Sequence, residues 1–204
     1  MCFGCLAGDR GGEKGLMSDI TRGKLIVISG PSGSGKTTIS SKLLDLLPDL
    51  EDSISFTTRR PRTGERNSRD YYFISSDEFQ KGIKENKFLE YAVVFGHYYG
   101  TDNKWILDRL DRGKNILLTI DVQGAAQIKA NFPQAVLVFL MPPGEDVLRE
   151  RLTNRATDDP EEIRNRLAKA KEEMAQVSNY NYVVINDKVN EAVEKIRGII
   201  ENEG

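Results

Sequence analysis

The sequence predicts an α/β fold: a parallel β-sheet core flanked by helices, interrupted by one inserted mixed-strand unit and one charge-rich helical pair. Three observations predict it. Residues 24–38 read KLIVISGPSGSGKTT, an apolar run that breaks into a glycine loop and then into helical spacing. Further apolar runs at Asn115–Ile120, Ala135–Met141 and Tyr182–Ile185 alternate with amphipathic stretches, as strands buried on both faces of a parallel sheet do. Residues of about 53–101 and 145–170 break that alternation, the first with short strands and turns, the second with arginine-rich helices.

In chain order, Leu25–Ile28 is the first core strand, and Gly30-Pro31-Ser32-Gly33-Ser34-Gly35-Lys36-Thr37 follows it. This octet fits G-x-x-x-x-G-K-[ST], the phosphate-binding loop. Glycines at 30, 33 and 35 let backbone N–H groups close on phosphate oxygens with no Cβ in the way. The helix from Thr38 to Leu47, which stops at Pro48, adds unpaired N–H groups and a positive dipole end. Lys36 is placed to reach the β and γ phosphates, and the Thr37 hydroxyl to ligate Mg²⁺. A glycine-rich turn without a ligand is the alternative, and the strand–loop–helix context argues for a nucleoside triphosphate.

The remaining elements follow from their own signals. Ser53–Thr58 alternates as an edge strand and leads through the basic stretch TTRRPRTGERNSRD to Tyr71–Ile74. Ser76–Asn86 reads as a helix with Ser76 or Asp77 as its cap. Phe88–Phe95 and Tyr98-Tyr99 are strands around a Gly96 turn; Asn103–Arg112 is a helix ending at Gly113. The strand at 115–120 ends in Asp121, and Gly124–Ala130 is helical. Helices at Glu145–Arg155 and Pro160–Gln176 form the arginine-rich pair, and an amphipathic helix over Val189–Glu201 closes the chain.

The composition narrows the function classes. Charged residues make up 29% of 204 residues and nearly balance, at a net charge of −2, which argues against broad nucleic-acid binding. No run approaches the length of a membrane span, and no basic-flanked apolar segment marks a signal peptide, so a cytoplasmic protein is expected. Cys2-Phe3-Gly4-Cys5 is a lone C-x-x-C with His97 as the chain's single histidine, too few ligands for a zinc site. Residues 1–20 read as a flexible tail, within which Met17 is an alternative start, and residues 21–204 as one domain. His97 reads as a turn-surface residue and receives no chemistry.

The inserted stretch selects among phosphate-loop proteins. Ser55, Thr57, Thr58, Arg59, Arg60, Arg62, Gly64 and Glu65, followed by Asp70-Tyr71, put arginines and hydroxyls beside a turn. Arg59 and Arg62 are close enough in sequence to clamp one phosphate, although a solvated basic loop explains them in isolation. With Phe88-Leu89-Glu90, the run Gly96 to Thr101 (GHYYGT) and Ile120-Asp121-Val122-Gln123-Gly124, the chain from about Arg22 onward resembles the guanylate kinase family. The family pattern S-x-T-T-R-x-x-R-x-G-E…D-Y stands at residues 55–71.

The resemblance implies a P-loop kinase fold whose core is residues 21–52, 102–143 and 177–204. The insert at about 53–101 would be a GMP-binding unit, and about 144–176 a helical lid. It implies that Ser55, Arg59, Arg62, Tyr71 and Tyr99 hold the GMP phosphate, and that Glu90 and Thr101 read the guanine. A carboxylate accepts from guanine N1–H and the 2-amino group together, and adenine offers neither donor. Asp121 would face the GMP site and support Mg²⁺ through water, with helix capping as its bland alternative. Arg151, Arg155 and Arg166 match lid arginines, and Asn186 matches the loop beside the adenine of ATP. Lys36, Arg59, Arg155 and Arg166 are the catalytic set, and Gly30 to Thr38 the ATP-binding loop.

The implied reaction is MgATP + GMP ⇌ ADP + GDP, with dGMP as a second acceptor, ATP as donor and Mg²⁺ as cofactor. Whether the chain works as a monomer or a homodimer stays open. One departure is Thr119, where the family usually carries a carboxylate. Two alternatives stand beside this reading: a catalytically idle binding module of the same family, and a P-loop kinase with another phosphate acceptor.

Overall fold

The computed structural model describes residues 22–153 and 160–203. The tail, with Cys2 and Cys5, lies outside the described residues. So does Arg155.

β1 (Leu25–Ser29) is buried over its whole length and forms the middle strand of a five-stranded sheet. On one side it pairs with β7 (Asn115–Thr119), which pairs in turn with β2 (Leu50–Asp52). On the other it pairs with β8 (Val136–Met141), which carries β9 (Tyr182–Ile185). Every pairing in this sheet is parallel. The continuous apolar runs anticipated this, because a strand covered on both faces has no polar alternation. β2 was not anticipated. Leu50-Glu51-Asp52 is too short and too acidic to read as a strand, and its register against β7 makes it one.

Two apolar layers sandwich the sheet. Ile26, Ile28, Leu117, Val138 and Leu140 face Ile39 and Leu43 of α1 (Lys36–Leu46) and Val193 and Ile196 of α7 (Val189–Glu203). Leu25, Val27, Ile116 and Leu118 face Ile106 and Leu110 of α3 (Asn103–Leu110) and Ala125 and Ile128 of α4 (Val122–Asn131). Consecutive strand residues thus go to opposite layers, as the period of two requires.

The second sheet has the order β4-β3-β6-β5, from β3 (Phe56–Thr57), β4 (Tyr72–Phe73), β5 (Phe88–Val94) and β6 (His97–Asp102). β5 and β6 form a hairpin whose turn, Phe95-Gly96, has positive φ at both positions (49° and 77°), the geometry that matches the strands' own twist. α2 (Ser76–Lys84) packs Phe79 between Phe88 and Tyr98, at ring distances of 4.2 and 5.0 Å. Its cap is Ser75, one residue before the expected Ser76. The Ser75 hydroxyl accepts from Glu78 N, and Glu78 accepts from Ser75 N, a capping box that satisfies two end donors reciprocally.

α5 (Glu145–Thr153) and α6 (Pro160–Met174) pack through Leu148, Leu152 and Ala170, with Leu167 against them. This small core lies on the phosphate loop: a Cβ at Gly33 would stand 3.0 Å from Leu148 Cδ1.

Candidate active site

Gly35 begins α1 with φ of +94° and offers no side chain as a cap. The helix's first N–H groups therefore face the loop instead of a side-chain acceptor, which is what an anion site needs. Lys36 folds back over the loop, donating to Gly30 O (2.6 Å) and Pro31 O (3.1 Å). Thr37 and Thr38 lie exposed on the first turn. A Cβ at Gly30 would meet Leu140 O at 2.4 Å, so only glycine lets the loop leave β1 beside β8.

Asn186, just past β9, is fully buried and donates through Nδ2 to Ser34 O at 2.7 Å. Arg151 Nη2 donates to Asn186 O at 3.1 Å. The two residues expected near ATP therefore meet, and Asn186 acts by tying the loop to the sheet. A side chain at Gly35 would collide with that amide at 2.4 Å.

A cavity of about 210 Å³ runs from this loop to the second sheet. Gly30, Ser32 and Lys36 line one end; Ser55, Arg62, Tyr71, Glu90 and Tyr99 line the other, with Thr119 and Asp121 beside them. The topology explains the meeting. The phosphate loop and the β7–α4 turn both leave the C-terminal edges of adjacent parallel strands, where sites of such sheets form.

Glu90 and Thr101 are eleven positions apart in sequence and directly opposed in the β5–β6 hairpin. Thr101 Oγ1 donates to Glu90 Oε1 at 2.6 Å. The ladder shifts register between Phe88 and Glu90, so Leu89 and Glu90 are both buried although strand neighbours normally face opposite ways. Leu89 joins the layer under α3 and α4, leaving Glu90 to the cavity. Burial pushes the Glu90 carboxyl up to about 7; the Thr101 hydroxyl pulls it down and the Asp121 charge raises it.

Asp121 caps α4, its Oδ1 accepting from Gly124 N at 3.0 Å and its Oδ2 from Gln123 Nε2 at 3.0 Å. Capping, the blander expectation, is what the structure shows, and the same carboxylate lines the cavity. Thr119 pairs with Ser40 of α1 at 2.6 Å between hydroxyls.

The two arginines of the basic turn part company. Arg59 makes a bidentate pair with Glu65 (2.8 and 2.9 Å) and donates from Nε to Tyr99 OH (3.2 Å). Arg62 lines the cavity, and Arg59 is not among the lining residues. The expected side-by-side clamp is thus not assembled here, because Glu65 satisfies Arg59 first. The Tyr71 ring stands edge-on to Tyr99 and under the Arg59 guanidinium at 5.3 Å, and burial raises its phenol. Arg166 of α6 lies over the ring of Phe95 at 5.2 Å, with Lys169 at 4.7 Å from the same ring.

Three contributors escaped sequence reasoning. Gly124 admits Glu90: a Cβ there would stand 2.2 Å from Glu90 Oε2. A glycine in the first turn of a helix was the available signal. Gln127 pairs with both backbone groups of Tyr91, donating to its O at 2.6 Å and accepting from its N at 3.2 Å, which covers the free edge of β5. Glu173 of α6 is buried in the cavity wall and accepts from Ser32 N at 3.3 Å. Burial raises its carboxyl, and Lys36 and Lys169 lower it. Its neighbour Glu172 is exposed, so only the helix phase distinguishes them.

Among the described residues no helix is long and apolar enough to cross a membrane. The guanylate kinase family model matches residues 22–203. A guanylate kinase of Caldanaerobacter subterraneus is 50% identical over 184 residues, 90% of this chain and 89% of that one. One from Lactococcus lactis is 49% identical over 182 residues, covering 89% of each. The crystal structure of guanylate kinase from Anaplasma phagocytophilum superposes with a TM-score of 0.76 at 33% identity, over 90% of this chain and 87% of that one. A phosphate loop joined by one cavity to a buried Glu–Thr pair, with matches running through nearly the whole domain, makes this chain a member of the guanylate kinase family.

Proposed function

We propose that the chain catalyses MgATP + GMP ⇌ ADP + GDP in the cytoplasm, with dGMP as a second acceptor. The observation that carries the proposal is the buried Glu90–Thr101 pair, whose Glu90 lines the same cavity as Lys36. Guanine presents N1–H and N2–H donors that a carboxylate accepts together. Adenine would turn an acceptor toward it and leave a buried acid unpaired, a mismatch that sites of this kind reject strongly.

The phosphate of GMP is itself the nucleophile, so the protein needs to position two anions and offset their repulsion. Arg62, Ser55, Tyr71 and Tyr99 would hold the acceptor phosphate, with Arg59 joining if the phosphate displaces Glu65. Lys36 and the loop N–H groups would hold the donor, and the lid arginines Arg155 and Arg166 would close over it. Arg151 and Asn186 would keep the loop in shape. Mg²⁺ bound by one or two protein oxygens and by substrate phosphates is the arrangement such sites use. Thr37 and, through water, Asp121 would hold it, and the ion would neutralise phosphate charge.

The test is ADP release from MgATP, with GMP, dGMP, AMP, UMP and CMP offered in turn. Turnover confined to GMP and dGMP is expected. Turnover with another acceptor would overturn the specificity, and none with any acceptor would overturn the kinase reading.

A further inference from the structure

We infer that Glu173 stands in for the terminal phosphate of ATP at the mouth of the phosphate loop and must give way to it, so that this residue sets the preference between ATP and ADP. The inference rests on the kinase reading above. Glu173 belongs to α6, far from the loop in sequence, yet its Oε2 accepts from Ser32 N at 3.3 Å and the residue is 7% exposed. It lines the same cavity as Ser32 and Lys36 of the loop and Arg62 and Tyr99 on the side of the second sheet. Its carboxylate is therefore at the loop that would hold the donor's phosphates.

A carboxylate on a phosphate-loop N–H, near Lys36, fills the electrostatic role of a phosphate oxygen. Packing alone does not require the acid. A glutamine of the same size would accept equally well from Ser32 N–H, without the penalty of burying charge. What the carboxylate adds is negative charge at the point where the terminal phosphate brings its own. Two anions there repel in a medium less screening than water, and the repulsion falls on ATP alone, because ADP ends one phosphate short. ATP binding therefore has to lift Glu173 off Ser32. Ala170 and Leu167 of α6 pack with Leu148 and Leu152 of α5, so displacing the carboxylate pulls on the lid.

The experiment is calorimetric titration of wild type and Glu173→Gln with MgATP and with MgADP, without acceptor. Glutamine should tighten MgATP by roughly tenfold and leave MgADP within about twofold. An unchanged ATP/ADP ratio would overturn the inference, as would equal weakening of both nucleotides, the mark of a purely structural residue. If the glutamine variant does not fold, Glu173→Asp retracts the charge by one methylene and should tighten MgATP alone, by less; no selective change overturns the inference. Wild type that binds no MgATP would instead overturn the kinase reading, whereas failure of the inference leaves wild-type binding and GMP turnover intact.

Discussion

Burial pushes the Glu90 carboxyl up to about 7 from an ordinary 4.5. The sign follows from that direction. The folded state keeps the proton longer than the unfolded chain does, so this group's contribution to stability is complete below pH 4.5 and is lost as pH rises through 7. If Glu90 reads guanine as proposed, it must do so deprotonated, so acceptor binding runs the opposite way. kcat/KM for GMP should rise about tenfold per pH unit below 7 and level off above. Glu90→Gln should erase that inflection, separating it from the titration of GMP itself, and lower kcat/KM on the order of a hundredfold. An identical pH profile in the variant would remove Glu90 from acceptor recognition. Thr119 makes a second case at this scale. Its hydroxyl is held by Ser40, which can donate equally to a carboxylate. Thr119→Asp should therefore be accommodated and should raise turnover or lower KM for GMP; unchanged kinetics would show that Asp121 suffices.

Between elements, the site depends on close approaches that one residue type permits. Helix α4 and strand β5 meet where Gly124 leaves room for the Glu90 carboxylate. Gly124→Ala adds a methyl group where no space exists, although alanine is the better helix former by about 1 kcal/mol. It should raise KM for GMP at least tenfold through displacement of Glu90, with MgATP affinity unchanged. Steady-state kinetics with each substrate varied would check the split. The loop end has its own tie. Asn186→Ala removes the donor to Ser34 O and should weaken MgATP while sparing GMP binding, at a stability loss of about 1–3 kcal/mol, measured by nucleotide titration and denaturant melts. These elements were only partly legible. The core strands and the β5–β6 hairpin followed from apolar runs and a Gly96 turn. β2 did not, because it exists through pairing with β7 and its three residues carry no strand pattern of their own.

At the scale of the molecule, one cavity is lined by both the phosphate loop built on the parallel sheet and the Glu90 side of the mixed sheet. Lys36 makes its contacts to Gly30 O and Pro31 O at the surface of the cavity and not in the apolar layers. Lys36→Ala should accordingly abolish transfer to GMP while the melting transition is kept; near-normal turnover would remove Lys36 from the chemistry. The second sheet docks on the core partly through Gln123 and Gln127 of α4, which bond the backbone of Val93 and Tyr91 along the β5 edge. The same strand is also anchored through Leu89 in the apolar layer under α3 and α4, so the joint between the two sheets is part polar and part apolar.

The sequence by itself determined the parallel core and the phosphate loop with Lys36 and Thr37. These are legible because strand periodicity and loop chemistry are local: neighbouring residues alone set which backbone turns and which side chains a segment can present. Glu90, Thr101, Arg62, Tyr71 and Tyr99 became candidates only through the resemblance of several motifs taken together, since none of them alone differs from an ordinary surface or loop residue. Tertiary structure alone decided that Arg59 is held by Glu65 while Arg62 reaches the cavity, and that Asn186 braces the loop. It also decided that Gly124 makes room for Glu90, and that Glu173, not Glu172, is seated on Ser32. Each of these depends on the phase of a helix or the register of a strand against a segment distant in sequence, and burial then magnifies the charge interactions that result.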